Sequence, residues 1–150
     1  MSTRNKRLKL LMDHRQRQLD DRIGEYHGFV RAEAEAQARE EQALKDCHTA
    51  ELKRRAAATE GVESSTWGDL NNWLQAVIGR YRIACSATLQ AKQKTEAAQK
   101  KVMAARAQLK QVETLAERLR EKEALQERRK EQRMADEHTQ LVTARRGETL

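Results

Sequence analysis

No proline occurs anywhere in the 150 residues, and aromatic side chains make up only 3% of them. Without proline, nothing removes a backbone donor or clashes with a preceding turn, so no helix need be broken by chemistry of that kind. With so few aromatics and 35% charged residues, the chain cannot fill a core between two packed layers. No stretch of about 18 apolar residues exists, so no membrane-spanning helix is expected. The start from Met1 to Leu11 is basic, and its one apolar cluster, Leu10–Leu11–Met12, is too short for a signal-peptide core; a cytoplasmic location is expected. Cys47 and Cys85 lack the Cys/His clustering that zinc needs and read as buried small residues. His14, His27, His48 and His138 are scattered, so neither a metal nor a cofactor is expected. No phosphate-cradling loop occurs, and Gly24-x-x-x-Gly28 lies in a polar segment where membrane dimerisation has no meaning. Catalysis needs a concave pocket with convergent polar groups, which such a chain does not supply, so an enzyme is not expected.

What is present is a seven-residue repeat. Trp67, Leu74, Tyr81, Thr88, Thr95, Val102, Leu109 and Ala116 occupy one position of it. Leu70, Val77, Ala84, Ala91, Ala98, Ala105, Val112 and Leu119 occupy its companion. A period of about 3.5 residues keeps one stripe against a partner helix, which is the signature of a coiled coil. The rest is largely alanine, leucine, glutamate, lysine, arginine and glutamine, all strong helix formers.

One segment reads as a loop: Gly61 to Thr66. Gly61 can take the left-handed conformation that ends a helix, and Thr66 is placed to cap the N–H of Asp69. The reading is therefore all-α: helix one from about residue 3 to 58, a turn at 61–66, and helix two from about 67 to 141, with a frayed C-terminus. At about 1.5 Å per residue the helices would be roughly 80 Å and 110 Å long. So short a loop folds them back as an antiparallel coiled-coil hairpin, a single unit over 1–150, monomeric when isolated. A turn centred between Glu63 and Ser64 would set Leu8 against Leu119, Leu19 against Leu109, Val30 against Ala98, Leu44 against Ala84 and Leu52 against Leu74. The same register would place Asp21, Glu25, Glu33 and Glu35 beside Arg106, Lys101, Lys94 and Lys92. Ala32, Ala34, Ala36 and Ala38 would face an equally alanine-rich stretch of helix two, giving a slender middle. Beyond about Arg120 helix two would continue alone.

Two clusters stand out from this frame. Trp67 and Trp73, the only tryptophans, flank the turn. Trp67 is on the seam and reads as a seal; Trp73 lies beside it, where two helices cannot cover it fully, and exposed tryptophan near an arginine is typical of binding hot spots. The second cluster is cationic. Arg4, Lys6, Arg7, Lys9, Arg15 and Arg17 are interrupted only by Asp13, and the antiparallel register brings Arg118, Arg120 and Lys122 near them. Such a cluster seeks an acidic partner. Stacking aromatics are missing from it, so nucleic acid is not the expected one.

The turn segment Ser65-Thr66-Trp67, followed by Leu70, Asn71, Trp73, Leu74 and Gln75, resembles the start of the second helix in the FliJ family of flagellar type III export proteins. The segments from Leu115 to Arg118 and from Gln126 to Arg128, then Gln132, Met134, Asp136, Glu137 and Gln140, are similar to that family's C-terminal region. The resemblance covers essentially the whole chain; the related YscO group of injectisome stalks shares the architecture. It implies a non-enzymatic stalk without cofactor, cytoplasmic and peripheral at the inner membrane. Such a stalk enters a hexameric export ATPase, promotes its activity, couples it to an export-gate membrane protein and binds escort chaperones. The gate contact implied by resemblance falls on Trp73, Val77, Arg80 and Ala84, the last two departing from the family pattern. Asp46 and Ala50 stand where the family has tyrosines. Contact with the ATPase is read onto Arg4, Lys6, Arg7, Lys9 and Arg15 of the first helix and Arg118, Arg120 and Lys122 of the second. The competing class is a basic coiled coil associated with nucleic acid.

Overall fold

A computed structural model describes residues 2–148. They form two helices, α1 (Thr3–Glu60) and α2 (Ser64–Glu148), and no strand among the described residues. The fold is all-α, with the second helix the longer.

Gly61 ends α1 as its chemistry suggests. It has φ +75° and donates its N–H to the Ala57 carbonyl at 3.0 Å, the single bond of a left-handed helix stop. Three residues, Gly61 to Glu63, then suffice for the turn. The expected cap at Thr66 is not used: α2 starts at Ser64, and its first bond runs from the Trp67 N–H to the Glu63 carbonyl at 3.0 Å. At the other end α2 continues past the expected 141 to Glu148. The fraying expected there falls partly on Thr149 and Leu150, outside the described residues.

The chain divides into two compact units, Gln18–Ala105 and Met1–Arg17 with Arg106–Leu150. In the first, the turn unit, the two helices run antiparallel. Cys47 Sγ donates to the Val77 carbonyl at 3.6 Å, and the Thr95 hydroxyl lies 3.3 Å from the Phe29 carbonyl. On the expected register Cys47 would have faced Arg80 and Phe29 would have faced Ala98. The observed pairing is displaced by nearly one helical turn. The cause is the turn itself, which centres on Val62.

The repeat in α2 is the seam. In the turn unit every repeat position from Trp67 to Ala105 is buried or half-buried. Threonines there are satisfied by the helix they sit on: Thr88 and Thr95 each donate to the carbonyl one turn back, at 3.0 Å. Helix α1 differs from expectation. Leu19 and Ala36 are buried, but Ala32, Ala34 and Ala38 are exposed, as is Leu52 at 65%, while Val30 and Leu44 are only partly covered. The covered positions of α1 in this unit include Tyr26, Glu33, Ala36, Glu40, Ala43, Cys47, Ala50, Arg54 and Ala57. The expected ion pairs between helices are likewise absent among the described residues. Glu25 pairs with Arg22 on its own helix, at 3.1 Å.

In the terminal unit Leu109, Val112 and Ala116 are buried, and Leu119 and Leu8 are half-buried. Arg15 crosses to the other helix, donating from Nη1 to Gln108 Oε1 at 3.1 Å. From Arg120 onward α2 is exposed through Glu148 except at Val142, which is half-buried. No helix is long and apolar enough to cross a membrane.

Candidate partner-binding surfaces

In the terminal unit, α1 and α2 each place leucines and cations on one side at helical spacing. Leu8 and Leu11 come from α1, Leu115 and Leu119 from α2, and together they line a groove of about 330 Å³. Arg4, Arg7, Arg118 and Lys122 line the same groove, and no carboxylate does. Four of the cations expected from the sequence thus converge on one apolar floor. Two more, Lys9 and Arg120, share a neighbouring groove with Leu8, Met12 and Ala116, where Asp13 also lies. Lys6 is exposed and lines neither. Arg15 is half-buried with its bond to Gln108, so it is a seam residue and not part of an open cationic face.

The flanking leucines Leu11 and Leu115 escaped the sequence reading. Leu115 lies one position off the repeat of α2, where the helix flank is usually polar, and Leu11 belongs to the helix in which no repeat is apparent. That Leu115 directly precedes the seam residue Ala116 was the available signal. The Leu10–Leu11–Met12 cluster was the other, and it spoke only against a signal peptide.

In the turn unit the tryptophans meet cations of α1. Lys53 Nζ lies 5.1 Å from the centre of the Trp73 ring, and the Arg54 guanidinium lies 5.9 Å from that of Trp67. Trp67, on the seam, and Trp73, beside it, are both half-buried. Neither cation was singled out in the sequence. Of the other residues expected on this flank, Arg80 is exposed and Ala84 half-buried. Val77 is 3% exposed and its carbonyl accepts the Cys47 thiol. It cannot be a surface contact in this conformation, because its repeat position turns it into the seam. Arg80 is the exposed member of the set, with Trp73 and Ala84 half-buried.

A further polar group sits on the seam of the turn unit. The Tyr81 hydroxyl is pushed above its ordinary pKa of 10.0, first by its hydrogen bond with the Cys85 side chain. Electrostatic repulsion from Cys85, partial burial, and repulsion from Glu40 and Cys47 push the same way. Cys47 and Cys85 are both free and half-buried. Among the described residues no cluster of His, Cys, Asp and Glu could hold a metal ion.

These surfaces sit on a paired-helix scaffold with almost no interior. That defines a helical protein of the coiled-coil type. The chain belongs to the FliJ family: the family profile described as Flagellar FliJ protein matches residues 4–148. The family serves flagellar protein export and consists of structural and chaperone-escort proteins. No match was found among curated proteins or among solved structures.

Proposed function

We propose that this chain is the non-enzymatic central stalk of a flagellar type III export apparatus. Its terminal unit inserts into the hexameric export ATPase and promotes ATP hydrolysis. Its turn unit contacts the export-gate membrane protein through Trp73 and Arg80. Escort chaperones are further partners, and the protein works in the cytoplasm at the inner-membrane face of the apparatus. The flagellar family match favours this system over an injectisome.

The observation that carries the reading is the convergence of Arg4, Arg7, Arg118 and Lys122 on one groove without a carboxylate. None of these four forms an ion pair among the described residues, so their charge is available to a partner of opposite sign. Nucleic acid is disfavoured because the floor between the cations is leucine, and single strands are held on stacking aromatics.

The test replaces Arg4, Lys6, Arg7 and Lys9 with glutamate and measures stimulation of the export ATPase at physiological salt. Stimulation should be lost while helicity by circular dichroism is kept. Undiminished stimulation would contradict the proposal.

A further inference from the structure

Charge alone does not account for the terminal groove. Its floor is built from four leucines, two from each helix, and Leu11 and Leu115 are 38% and 50% exposed although both face a common hollow. In α2 Leu115 and Leu119 are four residues apart, as are Arg118 and Lys122; in α1 Leu8 and Leu11 are three apart, as are Arg4 and Arg7. Residues so spaced share one helix face. Each leucine therefore has a cation within a helical turn of it.

We propose that this groove is a docking site for an acidic protein segment that also carries one or two large aliphatic side chains, the carboxylates meeting the rim and the aliphatic groups filling the floor. The inference rests on the stalk reading for its context and deepens it: the partner must present an apolar anchor, not merely negative charge. The volume is at the lower end for ligand clefts, which suits a few inserted side chains. Charge complementarity selects the partner's sign, since the rim offers four cations and no carboxylate. Anionic lipid would meet the same cations, and the vesicles in the test below separate it from an acidic protein segment. Docking side chains into a preformed pocket under a charged rim is how small interfaces gain both strength and orientation.

The test uses the full-length chain and three short synthetic peptides: one of glutamate with two leucines, one with those leucines changed to serine, and one with the glutamates changed to lysine. Methyl resonances of Leu8, Leu11, Leu115 and Leu119 report binding. The first peptide should shift them, the serine peptide should bind at least about tenfold more weakly, and the lysine peptide should not bind. Leu115→Ser should remove the advantage of leucine over serine in the peptide. Arg118→Gln, at an exposed position, should weaken both acidic peptides without touching the floor. Equal binding of the leucine and serine peptides would overturn the groove proposal while leaving a purely electrostatic ATPase contact intact. Methyl shifts caused by anionic phospholipid vesicles but not by the first peptide would also overturn it. Peptide binding as expected, combined with no stimulation of the ATPase by the native chain, would uphold the groove and refute the stalk reading.

Discussion

Cations meet apolar groups in both units, but to different ends. In the turn unit Lys53 and Arg54 lie over the rings of Trp73 and Trp67, so charge and aromatic face satisfy each other within the chain. In the terminal unit Arg4, Arg7, Arg118 and Lys122 surround leucines, which offer a cation no such partner. The tryptophan rings of one region already carry a cation from the same chain, while the cations lining the groove of the other have no ring or carboxylate beside them. The contrast teaches that a cation count read from sequence does not locate a binding surface. What matters is whether the neighbouring side chains can absorb the charge.

The comparison can be broken at the seam first. Leu74 is 5% exposed in the turn unit, and Leu74→Ala should cost about 2–5 kcal/mol by thermal or denaturant unfolding. A cost near zero would mean that the helices of this unit are not held by the repeat. Next in size, Trp73→Ala should weaken gate binding by about 2 kcal/mol, as central aromatic anchors do. It should unfold the chain far less readily than Leu74→Ala, because Trp73 is only half-buried. Equal destabilisation by the two variants would make Trp73 a core residue and remove the physical support for a gate contact.

How much of this was legible in the sequence differs between the helices. Helix α2 was readable from Trp67 to Leu119, because its repeat positions there hold apolar residues or threonines whose hydroxyls bond their own helix. Helix α1 was not. Its covered positions include Glu33, Glu40 and Arg54, which interrupt any apolar pattern, while Val30, Leu44 and Leu52 attract attention from outside it. Long charged side chains can occupy such positions because their stems cover the neighbouring helix while their heads reach water. The register then followed from the turn, and the turn was placed too late because Thr66 looked like a better cap than the structure required. Among candidate contacts, the cationic cluster was visible in the sequence, but its leucine floor also needed Leu11 and Leu115, neither of which falls on the repeat. Val77 was assigned to a surface by resemblance although its own repeat position already placed it in the seam.

Smaller effects sharpen the contrast within the turn unit. Lys53→Ala removes the ammonium from the Trp73 ring and should cost about 0.5–1 kcal/mol, measurable by unfolding. No change would show that the pair contributes nothing and that Trp73 is as open as the terminal groove. The smallest effect is the pH response of Tyr81. Its raised pKa means that the folded chain holds the phenolic proton more tightly than the unfolded chain does. The stabilisation is fully present below pH 10.0, the ordinary value, and is lost as pH rises through the raised folded value. Tyr81→Phe should therefore lose less stability than the native chain across that alkaline window, and identical curves would count against the Cys85 hydrogen bond.

The most direct measurement is stimulation of the export ATPase at physiological salt, compared between Trp73→Ala and the variant with Arg4, Lys6, Arg7 and Lys9 changed to glutamate. The account holds that the open cationic groove meets the ATPase and the tryptophan flank does not. Stimulation should then be kept in full by Trp73→Ala and lost by the charge-reversed chain, with both still helical. The contrary result is stimulation that survives charge reversal or disappears with Trp73.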